Sequence, residues 1–332
     1  MARVLFSVRM DEDRRASLAG IPSGAFEAIV LEDLPSPARE SAWAEADVLV
    51  CGGFRADIPE DLPARAPRLR MVQVLLAGVD HFPFERLPPG AVLCSNAGAY
   101  NVSVAEHAMA LLLAAAKDIP RRTEEIRRGT FDQAAPSKGL HGSTLVVLGL
   151  GGIGSEVARL GHGFGMRVLG ISRSAQGPPA VAEAANLDDL PRFASLADFL
   201  VVALPLTRRT EGLIDRHVLA AMKDDAVLVN IARGKIIVED DLYEHLKVHP
   251  RFRAALDVWW AYPAGREGRP FHRPFHELPN VLMTPHVAWA VPAQRRRTMD
   301  AALQNVLLFL RGERPRNIVD PAEYARELPR RA

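Results

Sequence analysis

The 332-residue sequence contains little cysteine, only Cys51 and Cys94. So few cysteines argue for neither a disulfide scaffold nor a zinc cluster, and we expect no bound metal. The sequence also lacks an apolar run long enough to cross a bilayer, which takes about 20 residues. The longest run, Ala108–Ala116, is interpreted as a buried helix. The opening segment has the pattern of a strand followed by charge, not of a signal peptide, so we expect a cytoplasmic protein without a membrane partner.

Excess charge of either sign is also missing. Lys and Arg number 41 against 40 Asp and Glu, which gives a formal net charge of +1. The net charge of the whole protein therefore produces no electrostatic field that would attract nucleic acid. The small basic clusters Arg295–Arg297 and Arg330–Arg331 are interpreted as a solvated helix face and a solvated tail. With 48% hydrophobic and 24% charged residues the composition is that of a globular protein. We expect a small-molecule ligand.

Short apolar segments alternate with helix-like segments, a pattern typical of parallel sheets covered by helices. A second series of strands starts at Leu145 and is rich in Val, Leu and Ile without alternation, as expected when both faces of a sheet are buried. The first series of predicted strands is Val4–Val8, Ala28–Leu31, Val48–Cys51, Met71–Leu75 and Val92–Cys94.

A long helix is predicted from Val102, apolar almost all round, and we expect protein on both sides of it. Another is predicted near the end, with apolar residues at helical spacing from Met299 to Leu310. The fold class is therefore α/β, with two doubly wound parallel-sheet domains. Residues 1–100 with 290–332 are predicted to form one domain, and residues 101–289 the other.

A glycine-rich turn follows the strand at Leu145 and opens a helix. In that context Gly149 allows the tight turn, Gly151 lets the backbone approach a pyrophosphate, and Gly154 packs helix on strand. The helix N-terminus offers N–H groups to phosphates. An ordinary turn without a ligand is the weaker alternative. The predicted dinucleotide-binding residues here are Gly149, Gly151, Gly152, Ile153 and Gly154.

The following strand ends in Ser172, Arg173 and Ser174, where an NAD-preferring site usually carries an acid. An arginine between two hydroxyls suits a ribose 2′-phosphate by charge and by fork geometry. Arg208 and Arg209 could contribute to the same pocket. We predict NADP as the cofactor. NAD stays possible, because Arg173 could equally be a solvated loop residue.

Seven motifs in order make the chain resemble the D-isomer-specific 2-hydroxyacid dehydrogenases, a family that includes glyoxylate/hydroxypyruvate reductases. The resemblance spans nearly the whole chain and implies a Rossmann cofactor domain inserted into a flavodoxin-like substrate domain. The motifs are LLAGVDHF at Leu75, NVSVAEHAMALLL at Asn101, GLGGIG at Gly149, LPLTRRTEGLID at Leu204, VLVNIARG at Val227, AALDV at Ala254 and NVLMTPHVAWA at Asn280.

The resemblance implies two catalytic residues. Arg233 resembles the arginine that holds the substrate's carboxylate and carbonyl oxygen, a role that its planar fork of donors suits. His286 resembles the acid/base of the family, since an imidazole titrates near the working pH. The other histidines lack such a setting at a strand end, His107 among them, except His81, which lies beside the substrate loop without an obvious proton-transfer role.

Further roles come from the same resemblance. Ala77 and Gly78 resemble the loop whose N–H groups receive the substrate carboxylate. Asp257 resembles the acid that accepts from the nicotinamide carboxamide, although a buried aspartate at a strand end could instead cap a neighbouring loop. Ile231 and Pro205 resemble backbone and packing contacts to the cofactor.

The chain departs from the family pattern at Tyr262. Most members carry a glutamate there, five residues after the aspartate, which pairs with the catalytic histidine and favours its protonated form. A tyrosine carries no charge near neutral pH, so we predict that His286 titrates lower than in relatives with the glutamate. Trp259, Trp260 and Trp289 are expected to wall the pocket, with core or interface packing an equal alternative for the first two.

The sequence thus predicts an NADP-dependent oxidoreductase acting on a small 2-oxo or 2-hydroxy acid such as glyoxylate or hydroxypyruvate, and by resemblance a homodimer formed largely through the cofactor domains. Formate oxidation stays open, because formate dehydrogenases also lack the glutamate. Phosphite oxidation is disfavoured, because those relatives carry a lysine where this chain has Leu76 or Ala77. A non-enzymatic NAD(P) sensor resembling the dehydrogenase-like corepressors is the alternative from another class.

Overall fold

The computed structural model describes residues 1–263 and 267–324. The chain divides into two compact units, one made of Met1–Tyr100 and the chain from Val291 onward, the other of Asn101–Ala290. In the described part of the chain, no helix is both long and apolar enough to span a membrane.

The first unit is built on a five-stranded sheet. Its strands are β1 (Arg3–Phe6), β2 (Glu27–Val30), β3 (Val48–Cys51), β4 (Met71–Val74) and β5 (Val92–Cys94). The helices between them are α1 (Glu12–Ala19), α2 (Ser36–Glu45) and α3 (Leu62–Arg65). The strands are parallel in the order β2-β1-β3-β4-β5, which is the order of flavodoxin-like sheets.

The second unit is built on a seven-stranded parallel sheet. Its strands are β6 (Thr144–Leu148), β7 (Arg167–Ile171), β8 (Glu183–Ala185), β9 (Phe199–Val202), β10 (Val227–Asn230), β11 (Arg253–Leu256) and β12 (Val281–Met283). Its helices are α4 (Asn101–Lys117), α5 (Ile119–Arg127), α6 (Gly152–Gly163), α7 (Leu190–Leu196), α8 (Arg216–Ala221) and α9 (Glu239–Val248). The strand order β12-β11-β10-β9-β6-β7-β8 reverses direction between β6 and β9, the point at which open α/β sheets bind ligands.

The last long helix, α10 (Gln294–Leu310), belongs to the first unit. Its buried residues Met299, Leu303 and Val306 pack in one cluster with Val4 and Phe6 of β1. Because successive strand residues face opposite sides, this cluster covers one face of the sheet and the cluster around Leu5 and Leu49 covers the other. The late helix is therefore needed to close the core that the first hundred residues leave open.

The predicted fold class, α/β with two parallel sheets, is confirmed. Three details differ from the sequence prediction. The edge strand β8 and the helix α5 were not predicted, because the first is three residues long and the second has a largely charged sequence. Helix α4 is not buried all round: Val102, Glu106 and Ala110, four residues apart, form an exposed row.

Candidate active site

The site residues predicted in the second unit all follow the carboxyl ends of strands. In a parallel sheet these ends lie along one edge, with neighbouring strands about 4.8 Å apart. The strands that precede Arg233 and His286 are therefore two apart, a spacing of about 10 Å in the sheet, and the strand that precedes Asp257 lies between them. Along the edge the order is His286 after β12, Asp257 after β11, Arg233 after β10, Pro205 after β9, Gly149–Gly154 after β6 and Ser172–Ser174 after β7.

The glycine turn after β6 is packed too closely for side chains at two positions. Gly149 has φ +100°, and a Cβ there would lie 2.7 Å from the carbonyl oxygen of Ala203. A Cβ on Gly154 would lie 1.7 Å from the carbonyl oxygen of Gly149. These two glycines therefore allow the turn and the close approach of α6 to the sheet, as the motif predicts.

Gly151 and Gly152, at the start of α6, differ from each other. A Cβ on Gly151, the N-cap residue, would meet nothing within 4 Å, whereas one on Gly152 would lie 2.3 Å from the amide nitrogen of Asn101. Open space thus lies beside Gly151 at a helix N-terminus of positive potential, with Ile153 half-buried in the first turn. These residues fit a dinucleotide pyrophosphate.

The loop after β7 is held together by Ser172. Its hydroxyl donates to the carbonyl of Gln176 at 2.8 Å and accepts from the Gln176 N–H at 3.1 Å, and it lies 3.5 Å from the hydroxyl of Ser174. Arg173 is exposed at the tip of this tight loop. Arg208 and Arg209 are also exposed but follow β9, which β6 separates from β7.

The two cofactor contacts inferred by resemblance after β9 and β10 have different surroundings. Pro205 is exposed, and its carbonyl accepts a 2.6 Å hydrogen bond from the hydroxyl of Thr210, which closes the loop. Ile231 is buried directly after β10.

The backbone at Arg233 is fixed from two sides. The buried side chain of Asn230 donates to the carbonyl of Arg233 at 2.9 Å and accepts from the N–H of Ala232 at 3.1 Å. On the other side, a Cβ on Gly234 would lie 2.3 Å from the carbonyl oxygen of Trp259. The guanidinium is attached to a rigid turn, is half-buried, and donates from Nη1 to the Ala232 carbonyl at 2.8 Å.

Asp257 is fully buried and binds the segment that carries His286. One carboxylate oxygen accepts from the hydroxyl of Thr284 at 2.6 Å and the N–H of Val287 at 3.0 Å, and the other from the N–H of Ala288 at 3.1 Å. The structure thus gives Asp257 the loop-capping role that the sequence left as an alternative. Binding of the carboxamide by Asp257 stays a prediction.

His286 itself adopts an unusual backbone conformation, with φ +57°. The left-handed region costs a residue other than glycine about 1–2 kcal/mol. The hydrogen bonds that the two following N–H groups donate to Asp257 offset this cost. The imidazole lies beside Tyr262, with ring centroids 5.5 Å apart, and the Tyr262 hydroxyl accepts from the N–H of Trp259 at 3.4 Å.

In the first unit, Ala77 and Gly78 lie partly exposed in the loop after β4. The loop is anchored on both sides of them. Before them, the carbonyl of Leu75 accepts from the Tyr100 hydroxyl at 2.8 Å, and after them the carbonyl of Val79 accepts from the N–H of Phe82 at 2.9 Å.

The tryptophans divide between core and surface. Trp259 is 5% exposed and donates from Nε1 to the carbonyl of Thr284. Trp260 stacks on Phe275, with the ring centroids 5.2 Å apart. Both side chains pack in the core of the second unit, which is the alternative to walling the pocket that the sequence left open. Trp289 is 44% exposed.

Sequence reasoning missed three residues that organise the site: Asn230, Thr284 and His107. The ring of His107, on α4, lies 3.4 Å from the Asp257 carboxylate and 3.2 Å from the Thr284 hydroxyl, both measured from Nε2. His107 does not follow a strand, as the sequence indicates, but it contacts the carboxylate that binds the His286 segment. The sequence shows Glu106 and His107 next to a long apolar run of α4, but this pattern does not indicate which strand end His107 contacts. Within the described ranges, no group of three or more His, Cys, Asp or Glu residues is placed to hold a metal ion.

Comparison with known proteins gives consistent matches. The family model described as "D-isomer specific 2-hydroxyacid dehydrogenase, NAD binding domain" matches residues 109–288. A glyoxylate/hydroxypyruvate reductase B from Pectobacterium carotovorum is 32% identical over 324 residues, 96% of this chain and 98% of that enzyme.

Two further proteins extend the comparison. A D-3-phosphoglycerate dehydrogenase from Methanocaldococcus jannaschii is 35% identical over 289 residues, which are 85% of this chain but 53% of that enzyme, so the chain spans about half its length. The solved structure of a D-isomer specific 2-hydroxyacid dehydrogenase from Xanthobacter autotrophicus, in complex with NADPH and MES, matches with a TM-score of 0.81 and 26% identity over 98% of this chain and 99% of that one.

Proposed function

Since the chain belongs to the D-isomer-specific 2-hydroxyacid dehydrogenase family, we propose that it reduces a small 2-oxo acid, glyoxylate or hydroxypyruvate, with NADPH. The chain is an NAD(P)-dependent oxidoreductase of this family and is similar to glyoxylate/hydroxypyruvate reductases. The observation that carries the substrate class is the common edge of the second sheet, which bears an arginine, an aspartate and a histidine on three neighbouring strands.

Each residue in the proposed mechanism has a defined role. When bound, the nicotinamide supplies the hydride for reduction of the carbonyl carbon. Arg233 grips the planar 2-oxo acid with two parallel hydrogen bonds and stabilises the negative charge that develops on the carbonyl oxygen. His286 gives this oxygen its proton. The N–H groups of Ala77 and Gly78 receive the substrate carboxylate.

We assign Tyr262 to the position where most of the family carries a glutamate. Its ring contacts the imidazole of His286, which supports the assignment. A phenol contributes no negative charge near neutral pH, whereas the glutamate that the resemblance implies at this position favours the protonated form of the histidine. The enzyme should therefore work best at lower pH than relatives with the glutamate.

For the cofactor we propose NADP bound by Gly149, Gly151, Gly152, Ile153 and Gly154, with Ser172, Arg173 and Ser174 at the 2′-phosphate. Support comes from the open space beside Gly151 and from the exposed arginine on a loop that Ser172 closes. The solved Xanthobacter relative holds NADPH. Pro205, Ile231 and Asp257 complete the proposed contacts, and residues 101–289, which lie within the second unit, are the proposed cofactor domain.

We further propose a homodimer formed through the second unit. Exposed apolar side chains lie along α4, α5 and the segment after them: Val102 at 50% exposure, Ile119 at 51%, Ile126 at 57% and Phe131 at 75%. If these side chains adjoin one another, they form the kind of apolar surface that marks an interface. A cytoplasmic location is proposed from the free thiols of Cys51 and Cys94.

The substrate proposal is tested by following NADPH and NADH absorbance with glyoxylate, hydroxypyruvate, pyruvate and phenylpyruvate, and with formate in the oxidative direction. Turnover of glyoxylate or hydroxypyruvate, faster with NADPH, is the expected result. Formate oxidation without reduction of any 2-oxo acid would replace the proposal with a formate dehydrogenase. Tight NADPH binding without any turnover would instead favour an NAD(P) sensor, a reading to which the uncharged Tyr262 beside His286 lends some support.

A further inference from the structure

We propose that His107 is a positioning residue for His286, acting through the hydroxyl of Thr284 and the carboxylate of Asp257. The inference rests on the proposed role of His286 as proton donor. It adds to that role a residue from α4, a helix that takes no part in the proposed chemistry.

The direction of the hydrogen bonds follows from the donors available. The Thr284 hydroxyl has one hydrogen, and it donates that hydrogen to Asp257 at 2.6 Å. At 3.2 Å from His107 Nε2, the same hydroxyl oxygen must therefore act as acceptor, so Nε2 carries a hydrogen. The chain of donation runs from His107 to Thr284 to Asp257.

The Asp257 carboxylate uses three of its accepting positions inside the protein. Its two oxygens already accept from one hydroxyl and two backbone N–H groups, and His107 lies 3.4 Å from one of them. A carboxylate has about four lone-pair positions. Asp257 is also completely buried, and the side chain of His107 is 23% exposed, so water competes weakly for these bonds. Their role is to hold the backbone on both sides of His286.

The loop needs such a hold because His286 has a left-handed backbone. Thr284 lies two residues before it, and Val287 and Ala288 directly follow it, so Asp257 binds the loop on both sides of the histidine. Loss of the His107 bond frees the Thr284 hydroxyl to rotate away from Asp257. The imidazole then leaves the position from which it can transfer a proton, while the binding of cofactor and substrate carboxylate is unchanged.

The test uses paired variants of the full chain. His107→Leu and Thr284→Val remove the donated hydrogen bonds at nearly constant volume, and His107→Gln and Thr284→Ser retain them. We expect the first pair to lower kcat at least tenfold, with the substrate KM and the NADPH Kd within twofold, and the second pair to keep at least half of kcat. Because both residues act in one chain of bonds, the double variant His107→Leu/Thr284→Val should be no slower than the slower single variant.

Three results would overturn the inference: kcat within twofold of the parent in both disruptive variants, losses that multiply in the double variant, or a parallel fall in Tm and NADPH affinity. Absence of turnover by the parent would refute the proposed function alone. In that case the histidine ring signals in nuclear magnetic resonance spectra, with that of His286 assigned from His286→Gln, still test the inference. The His286 signal should shift in His107→Leu but not in His107→Gln, and an unmoved signal in both would overturn it.

Discussion

The ring of Tyr262 lies 5.5 Å from the imidazole of His286, measured between ring centroids, with the two planes inclined by 47°. A phenol ionises only near pH 10, so this neighbour contributes shape without charge. A carboxylate in the same place would favour the protonated imidazole. The pH dependence of the enzyme should therefore report whether the residue at position 262 carries a charge beside His286.

The variant Tyr262→Glu should extend activity to higher pH. Reduction needs protonated His286, and an adjacent negative charge keeps the imidazole protonated to higher pH. The basic limb of the kcat/KM profile should therefore move to higher pH by about one unit. Tyr262→Phe is the matched control and should leave the limb in place. A basic limb that Tyr262→Glu leaves unmoved would show that residue 262 does not face the titrating group.

Gly151→Ala should weaken NADPH binding at least tenfold without unfolding the protein. The N-cap backbone is in an extended conformation that alanine adopts freely, and the added methyl group meets no protein atom within 4 Å, so it enters only the space proposed for the pyrophosphate. Gly163→Ala, at the other end of the same helix and also in open space, is the control. Fluorescence titration with NADPH measures both. Equal affinities would place the cofactor elsewhere.

Arg173→Gln should reverse or abolish the preference for NADPH over NADH. The guanidinium is the proposed partner of the 2′-phosphate, and a charge-assisted hydrogen bond to such a group is worth about 1.5–3 kcal/mol, so the KM for NADPH should rise roughly ten- to hundredfold. The KM for NADH should stay within twofold. Arg159→Gln, which removes an exposed arginine paired with Glu156 on α6, is the control. An unchanged ratio of the two KM values would contradict the assignment of Arg173.

The sequence was sufficient for features that depend on local pattern. The buried strands, the glycine turn before α6 and the strand-end positions of Arg233 and His286 follow from runs of apolar residues and from turn chemistry. The contact of His107 with Asp257 was not predictable in this way, because it depends on how α4 packs across β11, far along the chain. The left-handed backbone of His286 was missed for a similar reason, since hydrogen bonds from a distant strand end stabilise it.

Acid should destabilise the second unit through His245. Burial lowers the pKa of this imidazole to about 4. The ring of His249 stacks on it, with the ring centroids 4.1 Å apart, and also lowers the pKa, whereas Asp224 raises it. An unfolded chain binds a proton there near pH 6.5. The contribution of neutral His245 to the free energy of unfolding is therefore fully present above about pH 6.5. It is lost as the pH falls toward 4, and the loss is about 1–2 kcal/mol after allowance for solvent screening. His245→Gln should lose less Tm between pH 7.5 and pH 5 than the parent. An identical loss in both proteins would exclude His245 as the cause.

The rate of hydroxypyruvate reduction by Arg233→Gln tests the central claim most directly. Glutamine keeps a donor but loses the charge and the fork that grip the carboxylate and the carbonyl oxygen. Since removal of one donor to a developing oxyanion costs about a hundredfold or more, we predict a fall in kcat/KM of at least a hundredfold with unchanged NADPH affinity. A variant that reduces hydroxypyruvate within twofold of the parent rate would contradict the account.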